Sequence, residues 1–224
     1  MDNFAYKLEY QRHLPHLQPP GATLFVTFRL AGSIPRRVQQ QLLAEAEQIE
    51  KVSSRIADAG ERARRAYLEQ RRLFGKWDSA LDTAKSGPFW LGQAKIAQIM
   101  VDEMHRQDNQ TYTLDAFCVM PNHVHVVFTP LRTNSDEVNQ EETYHPLSTI
   151  MQALKGRAAL QANRQLGRRG KFWQRESYDH VVRDEDEWRR IVEYVLHNPV
   201  KAGLAQHWED WAWSYCRTMV VRQT

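Results

Sequence analysis

Two histidines, His123 and His125, are the residues of this chain best suited to holding a metal ion. They stand two apart in a segment with the pattern of a strand, where Val124 and Val126 alternate with them. Because alternate residues of a strand point to the same face, both imidazoles can reach one divalent ion. The pair follows a turn, so we expect it at an edge or end of the sheet, without a packing role and open to a substrate oxygen. Two ordinary surface histidines would show the same spacing at least as often.

A tyrosine near the C-terminus, Tyr194, is the candidate nucleophile. The segment 184–197 has the pattern of a helix that Asp184 caps and that carries one apolar stripe. Tyr194 falls on the border of this stripe, so we expect an exposed hydroxyl, and Asn198 follows one turn later. Pro199 disfavours helical geometry at Asn198, so the helix is predicted to end there and to offer the amide as a third metal ligand. A packing tyrosine with a hydrated hydroxyl would show the same pattern.

A basic segment predicts a polyanionic partner. No Asp or Glu occurs from Thr143 to Arg175. Cations there could follow DNA phosphates, and exposed aromatic rings could stack on unpaired bases. A solvated helix face is the plainer explanation of the charges, and the aromatic residues could equally belong to the core. The candidate DNA-binding residues are Lys155, Arg157, Arg164, Arg168, Arg169, Lys171, Trp173 and Arg175.

Composition limits the class of protein. The chain has 224 residues and a formal net charge of +3. Its two cysteines, Cys118 and Cys216, lack the spacing of a zinc ribbon or a disulfide framework, which suits a reducing compartment. The sequence has neither the pattern of a signal peptide nor an apolar run of membrane-spanning length. We therefore expect a cytoplasmic protein without a membrane partner.

The order of predicted elements indicates an α+β fold. Strands are predicted at 22–30, 112–120, 123–129 and 172–183, and helices at 89–105, 147–166 and 184–197. This order is typical of a ferredoxin-like or RRM-like antiparallel sheet with helices packed on one face. The charged stretch 36–73 predicts a solvated helical hairpin. We expect one domain over residues 1–224, with a helical insertion at about 36–86.

Several blocks of the chain resemble one known family. The block Met120-Pro121-Asn122-His123-Val124-His125 resembles the metal motif of the single-tyrosine HUH transposases. Further blocks are similar to the REP-associated tyrosine transposase branch of that family: Phe172-Trp173-Gln174-Arg175, Tyr178-Asp179-His180, Tyr194 through Asn198-Pro199-Val200-Lys201-Ala202-Gly203-Leu204, and Trp211-Ala212-Trp213-Ser214. The resemblance covers roughly residues 22–30 and 87–217.

The resemblance implies a ferredoxin-like HUH domain that cleaves single-stranded DNA beside a hairpin. His123 and His125 would bind Mg²⁺ or Mn²⁺, and Tyr194 would form a 5′-phosphotyrosine intermediate. The position four after the nucleophile, often Gln in relatives outside this branch, is Asn198 here, and Tyr178 is the rival nucleophile. The implied partner is hairpin or single-stranded DNA with REP-like palindromes, bound by a monomer or a homodimer.

Two other classes of function fit the same residues. A non-catalytic, domesticated hairpin-binding protein would keep the fold and the basic surface without the chemistry. A metal-dependent phosphoesterase would use water as nucleophile and give Tyr194 no role. Covalent attachment of DNA to the protein separates the strand transferase from both.

Overall fold

An antiparallel sheet of five strands forms the centre of the computed structural model, which describes residues 19–133 and 143–217. The strands are β1 (Leu24–Leu30), β2 (Tyr112–Val119), β3 (His123–Pro130), β4 (Trp173–Val181) and β5 (Ser214–Cys216). Their order is β4-β1-β3-β2-β5. The first four strands have the order of a ferredoxin-like sheet, so the predicted α+β class is confirmed. The sequence does not predict β5, because three residues are too few to show an alternating pattern.

Helices cover both faces of the sheet, so the expectation of helices on one face is wrong. The helices are α1 (Arg36–Ser53), α2 (Ala59–Asp82), α3 (Ala94–Gln107), α4 (Leu147–Gln165) and α5 (Glu185–Lys201). On one face, α3 and α4 pack on residues such as Leu24 and Val26. On the other face, Phe25 and Val127 pack against α5 and against Phe74 of α2. None of the helices in the described ranges is long and apolar enough to cross a membrane.

The hairpin of α1 and α2 is not the purely solvated insertion that its composition predicts. Leu73 and Leu81 of α2 are 1% and 4% exposed, and Phe74 stacks on Tyr178 of β4 with ring centroids 4.2 Å apart. The buried residues of α2 are spaced five and three apart and include the charged Asp78, so Glu and Arg on the other faces mask them in the sequence. Helix α2 extends to Asp82, well past residue 73, and covers the sheet face on which α5 also packs.

The last long helix, α5, begins as predicted and ends later than predicted. The side chain of Asp184 accepts a hydrogen bond from the backbone N–H of Glu187 at 2.7 Å, which caps the helix. The helix then continues through Pro199, so the predicted end at Asn198 is wrong. Proline removes only its own N–H donor, while the N–H of Ala202 still bonds to the carbonyl of Asn198 at 3.0 Å. Asn198 therefore lies inside a regular helix, which fixes the direction of its side chain.

Candidate active site

His123 and His125 lie side by side on β3, in the middle of the sheet. Both are 0% exposed, and across from them on β1 stand Arg29 and Thr27. The predicted common face is confirmed, because the Nε2 atoms of the two rings are 2.9 Å apart. Of the two expected positions, the pair is at the end of a strand, since β3 begins at His123, and not at an edge of the sheet. The expectation that the pair has no packing role is wrong, because both rings are buried.

Hydrogen bonds on the far side of each ring hold the imidazoles in place. Nδ1 of His123 lies 2.6 Å from Oδ1 of Asn122, and Nδ2 of Asn122 donates to the carbonyl of Leu81 at 2.9 Å. This second bond orients the amide, so Asn122 Oδ1 accepts a hydrogen bond from Nδ1–H of His123, and the lone pair of neutral His123 is on Nε2. Nδ1 of His125 lies 2.7 Å from Oγ1 of Thr27. Such outer contacts are typical of histidines that bind metals through the other nitrogen.

Asp78 of α2 is the third side chain of the site, and no local pattern in the sequence points to it. Its Oδ1 lies 3.3 Å from Nε2 of His125 and 4.0 Å from Nε2 of His123, and the residue is 2% exposed. One ligand atom from each of these three residues fits within 4.8 Å of the others. The three side chains therefore meet closely enough to share one ion.

The protonation states of these residues suit metal binding. Burial raises the pKa of Asp78, but its contacts with His125 and His123 outweigh burial and bring the pKa below its usual range. Burial, reinforced by the neighbouring His125, lowers the pKa of His123 well below its usual range. A carboxylate and a neutral imidazole are the forms that coordinate metals.

Several buried polar atoms around the histidine pair lack a well-aligned hydrogen bond. Within the described residues, no hydrogen bond reaches Oδ1 of Asp78, the hydroxyl of Tyr194, or either polar atom of the Asn198 amide. Unsatisfied buried polar atoms are rare in proteins, and several at one place indicate that the site takes up a further atom. Carboxylate and amide oxygens beside imidazoles suit a divalent ion such as Mn²⁺ or Mg²⁺. The residues present therefore fit the expected metal.

Tyr194 of α5 approaches the histidine pair from the helix side. Its ring stands edge-on to that of His125, with centroids 5.7 Å apart. Its hydroxyl is buried beside Asp78 and Asn198 without a well-aligned hydrogen bond to either, so the expectation of an exposed hydroxyl is wrong. Burial raises the pKa of Tyr194 far above its usual range, and the charge of Asp78 raises it further. Forming phenolate here therefore requires nearby positive charge.

Lys201 supplies a positive charge at this point, and the sequence analysis assigned it no role. Its Nζ donates to Oδ2 of Asp82 at 2.8 Å and to Oδ2 of Asp78 at 3.1 Å, and it lies 5.9 Å from the centroid of the Tyr194 ring. Lys201 follows Tyr194 by two helical turns, so the two side chains share a face of α5. This spacing of seven residues is the sequence signal that relates Lys201 to Tyr194.

An open groove of about 330 Å³ leads to Tyr194 between α2, β4 and α5. Its walls combine the aromatic rings of Phe74 and Tyr178 with the exposed side chains of Arg71 and Arg190. Aromatic faces and cations are the surface that unpaired nucleic acid prefers. Tyr178, the rival nucleophile, lies in a strand as predicted and forms part of this wall.

A charged cluster at the groove fastens α2 to the sheet. Glu187 of α5 accepts hydrogen bonds from the Tyr67 hydroxyl at 2.6 Å and from Nε of Arg183 at 3.0 Å, and it lies 3.2 Å from Nε2 of His180. Burial raises the pKa of Glu187, but the hydrogen bonds from Arg183 and Tyr67 outweigh it and lower the pKa to about 2. The cluster connects α2, β4 and α5 around one buried carboxylate.

The predicted DNA-binding residues lie apart from this groove. Helix α4 packs on the sheet face opposite to the histidine pair. Lys155 donates to the carbonyls of Gln174 and Arg175 at 2.8 and 3.0 Å, and Arg168 lies 3.9 Å from the centroid of the Trp90 ring, so both have structural contacts. The exposed members of the set are Arg157, Arg164, Arg169, Lys171 and Arg175.

Trp173 is a core residue, which contradicts its expected role in stacking on DNA. It is 7% exposed and packs edge-on against Phe28 with ring centroids 4.9 Å apart. The first residue of β4 points inward here, as alternation along the strand allows. Phe172 is buried as well, at 2% exposure.

Comparison with known proteins gives two relatives that are named REP-associated tyrosine transposases, although no family model matches the chain. Over 99 residues the chain is 30% identical to a Haemophilus influenzae protein assigned to the REP-associated tyrosine transposases, covering 44% of this chain and 56% of the relative. Over 114 residues it is 24% identical to the REP-associated tyrosine transposase of Escherichia coli K12, covering 51% and 60%. The chain spans a little over half the length of the curated relatives it matches.

A solved structure agrees in fold. The structure of a REP-associated tyrosine transposase bound to a REP hairpin aligns with 92% of this chain and 81% of its own, with a TM-score of 0.50 and 18% identity. This chain is therefore similar to the REP-associated tyrosine transposases over part of its sequence, and it is similar in fold to one of them.

Proposed function

We propose that this chain is a metal-dependent DNA strand transferase that cleaves single-stranded DNA beside a hairpin through Tyr194. The observation that supports this best is the convergence of three elements on one buried point. The Tyr194 ring of α5 lies 5.7 Å from the His125 ring of β3, and Asp78 of α2 contacts the same histidine. A nucleophile beside two imidazoles and a carboxylate is an arrangement suited to phosphoryl transfer.

The residues that would hold the metal are His123 and His125 through Nε2, with Asp78 and Asn198 as oxygen ligands. When bound, Mg²⁺ or Mn²⁺ neutralises charge on a non-bridging phosphate oxygen and orients the phosphorus for attack. Asp78 contributes an anionic ligand, which the amide of Asn198 cannot. Asn122 and Thr27 keep the two imidazoles in the required orientation.

The reaction exchanges one phosphoester bond for another. The Tyr194 oxygen attacks the scissile phosphorus, the bond from phosphorus to the 3′ oxygen breaks, and the phenolic proton leaves to solvent. The 3′ oxygen takes up a proton, so the products are a 5′-phosphotyrosine and a free 3′-hydroxyl. Because the phosphoester bond is conserved, a 3′-hydroxyl of another strand can reverse the step without ATP.

Lys201 favours the phenolate that this attack needs. Its ammonium lies 5.9 Å from the Tyr194 ring centroid and is positively charged at neutral pH, since hydrogen bonding to Asp82 and the charge of Asp78 raise its pKa against the effect of burial. A nearby cation stabilises the ionised form of a phenol. We expect Lys201 to offset the effect of Asp78 on the pKa of Tyr194.

The groove beside Tyr194 provides an approach for a single strand. Arg71 and Arg190 can contact phosphates there, and Phe74 can contact bases. The exposed cations of α4 and of the loop after it lie on the other side of the sheet, where they could bind the duplex stem of a hairpin. The solved relative, whose structure contains a REP hairpin, supports hairpin DNA as the partner.

Cleavage of a labelled hairpin oligonucleotide tests the proposed function. With Mn²⁺ or Mg²⁺, a label on the 3′ flank should migrate with the protein on a denaturing gel, and a label on the 5′ flank should appear in a shorter free fragment. Chelation of the metal should abolish both products. Cleavage without an adduct would indicate a water nucleophile, and binding without cleavage would indicate a non-catalytic binding protein.

A further inference from the structure

A second cavity, of about 100 Å³, lies between the α1–α2 hairpin and strands β1 and β4. The stacked rings of Phe74 and Tyr178 line both this cavity and the groove that leads to Tyr194. Thr27 and Asp78 also line the cavity, and both contact His125, at 2.7 and 3.3 Å. The cavity therefore adjoins the site of the proposed chemistry.

A buried cation forms part of its wall. Arg29 of β1 is 8% exposed and stands opposite His123 in the sheet register. Among the described residues, its guanidinium forms one hydrogen bond, to Oγ of Ser33 at 3.4 Å, and no ion pair with a carboxylate within 4.0 Å. Glu176, the carboxylate that raises the pKa of Arg29 against the larger effect of burial, is exposed and accepts a hydrogen bond from Gln174. A buried arginine with this few partners indicates that an anion binds there.

The remaining walls suit the flat face of a base. Trp77 of α2 lies under the guanidinium of Arg29, whose Cζ is 5.4 Å from the indole centroid. Leu43 and Leu81 add apolar surface from the two helices of the hairpin. Aromatic and aliphatic walls with one arginine at the end offer stacking to a base and a bidentate donor to its phosphate.

We propose that this cavity is a subsite for one unpaired nucleotide next to the scissile phosphate, with its base against Trp77 and its phosphate on Arg29. This inference rests on the proposed function, because only a DNA strand engaged at the histidine pair would place a nucleotide here. The subsite gives the α1–α2 hairpin a part in choosing where the strand is cut.

Oligonucleotide binding in chelator tests the subsite without any chemistry. A series of hairpin oligonucleotides carries 2-aminopurine at successive positions around the cleavage point. One position should show fluorescence quenched by stacking, and Trp77→Leu should restore its emission and weaken binding by about 5- to 100-fold. An abasic site at that position should remove the difference between Trp77→Leu and the unaltered protein. Arg29→Gln should weaken binding of base-containing and abasic strands alike.

Two further variants make the result decisive. Leu43→Phe fills the cavity from α1 without removing Trp77 or Arg29, and it should weaken binding of the base-containing strand more than of the abasic one. Trp90→Leu removes an indole that stacks on Phe172, away from the cavity, and should leave the quenched position unchanged. Absence of any single quenched position, or equal weakening of base-containing and abasic strands by Trp77→Leu, would overturn the subsite.

The adduct assay with unmodified oligonucleotide, run in parallel, separates the two proposals. If the unaltered protein forms the adduct while Trp77→Leu and Leu43→Phe bind all strands normally, the subsite is wrong and the proposed function stands. If the unaltered protein binds no oligonucleotide, both are wrong.

Discussion

Oδ1 of Asp78 lies 3.3 Å from Nε2 of His125, although Asp78 belongs to the helical hairpin and His125 to the central strand of the sheet. This contact makes α2 part of the site and not a surface addition. It also places a negative charge beside the two imidazoles, which increases the attraction for a divalent cation.

We predict that Asp78→Asn weakens metal binding. The amide has nearly the same shape but lacks the charge, so affinity for Mn²⁺ should fall by roughly tenfold or more, as for other changes close to a metal. Titration calorimetry with Mn²⁺ measures this directly. Asp82→Asn is the control. Asp82 lies on the same helix as Asp78 but accepts a hydrogen bond from Lys201, so this variant should change the affinity for Mn²⁺ far less. Equal affinity of Asp78→Asn and the unaltered protein would exclude Asp78 as a ligand.

We predict that His125→Ala loses metal-dependent cleavage and also stability. His125 is 0% exposed, so its removal leaves a cavity and a buried Thr27 hydroxyl without its 2.7 Å partner. The free energy of unfolding should fall by about 1–3 kcal/mol in urea denaturation. His197→Ala, on the exposed side of α5, should show neither effect. A His125→Ala protein that cleaves DNA normally would contradict the metal role.

The parts of this site that could be predicted from the sequence depend on short-range spacing. Alternation along β3 places His123 and His125 on one face, and the turn geometry of α5 relates Tyr194 to Asn198. Those relations hold whatever packs above them. The cap at Asp184 is local as well, and the structure contains it.

The parts that could not be predicted depend on which element covers the site. No local pattern says that α2 packs over β3, so Asp78, the burial of Tyr194 and the cavity at Arg29 stay hidden. The charged side chains that favour a solvated helix are real, but they occupy only the outer faces of α2. The burial of Trp173 could not be predicted from local sequence either, since an aromatic residue beside basic ones is compatible with either surface or core.

We predict an acid-sensitive attachment of α2 through Glu187. Its pKa is lowered to about 2 in the folded protein, so its contribution to stability is present above the ordinary pKa of about 4.5 and is lost as pH falls from there towards 2. In urea denaturation, the stability difference between the unaltered protein and Glu187→Gln should shrink as pH falls below about 4.5. Glu185→Gln, an exposed change in the same turn, serves as the control. A Glu187→Gln difference that grows on acidification would contradict the contacts with Arg183 and Tyr67.

We predict that the exposed cations on the α4 side contribute to DNA affinity. Replacing Arg164, Arg169 and Lys171 by Ala should lower the dependence of log affinity on log salt by about 0.7 for each phosphate of a single strand that is no longer neutralised. Fluorescence anisotropy over a range of salt measures this slope. Lys51→Ala, an exposed change at the end of α1, serves as control. An unchanged slope in the triple variant would show that this surface is only solvated.

The adduct formed by Tyr194 tests the central claim most directly. Tyr194→Phe keeps the ring beside His125 and removes only the oxygen, so folding and DNA binding should persist while the adduct disappears. Tyr178→Phe is the matched variant on β4 and should retain it. Intact-mass spectrometry after incubation with a hairpin oligonucleotide and Mn²⁺ should show the protein plus the fragment 3′ to the cut in the unaltered protein and in Tyr178→Phe, and protein alone in Tyr194→Phe. An adduct that survives in Tyr194→Phe would contradict the assignment of the nucleophile.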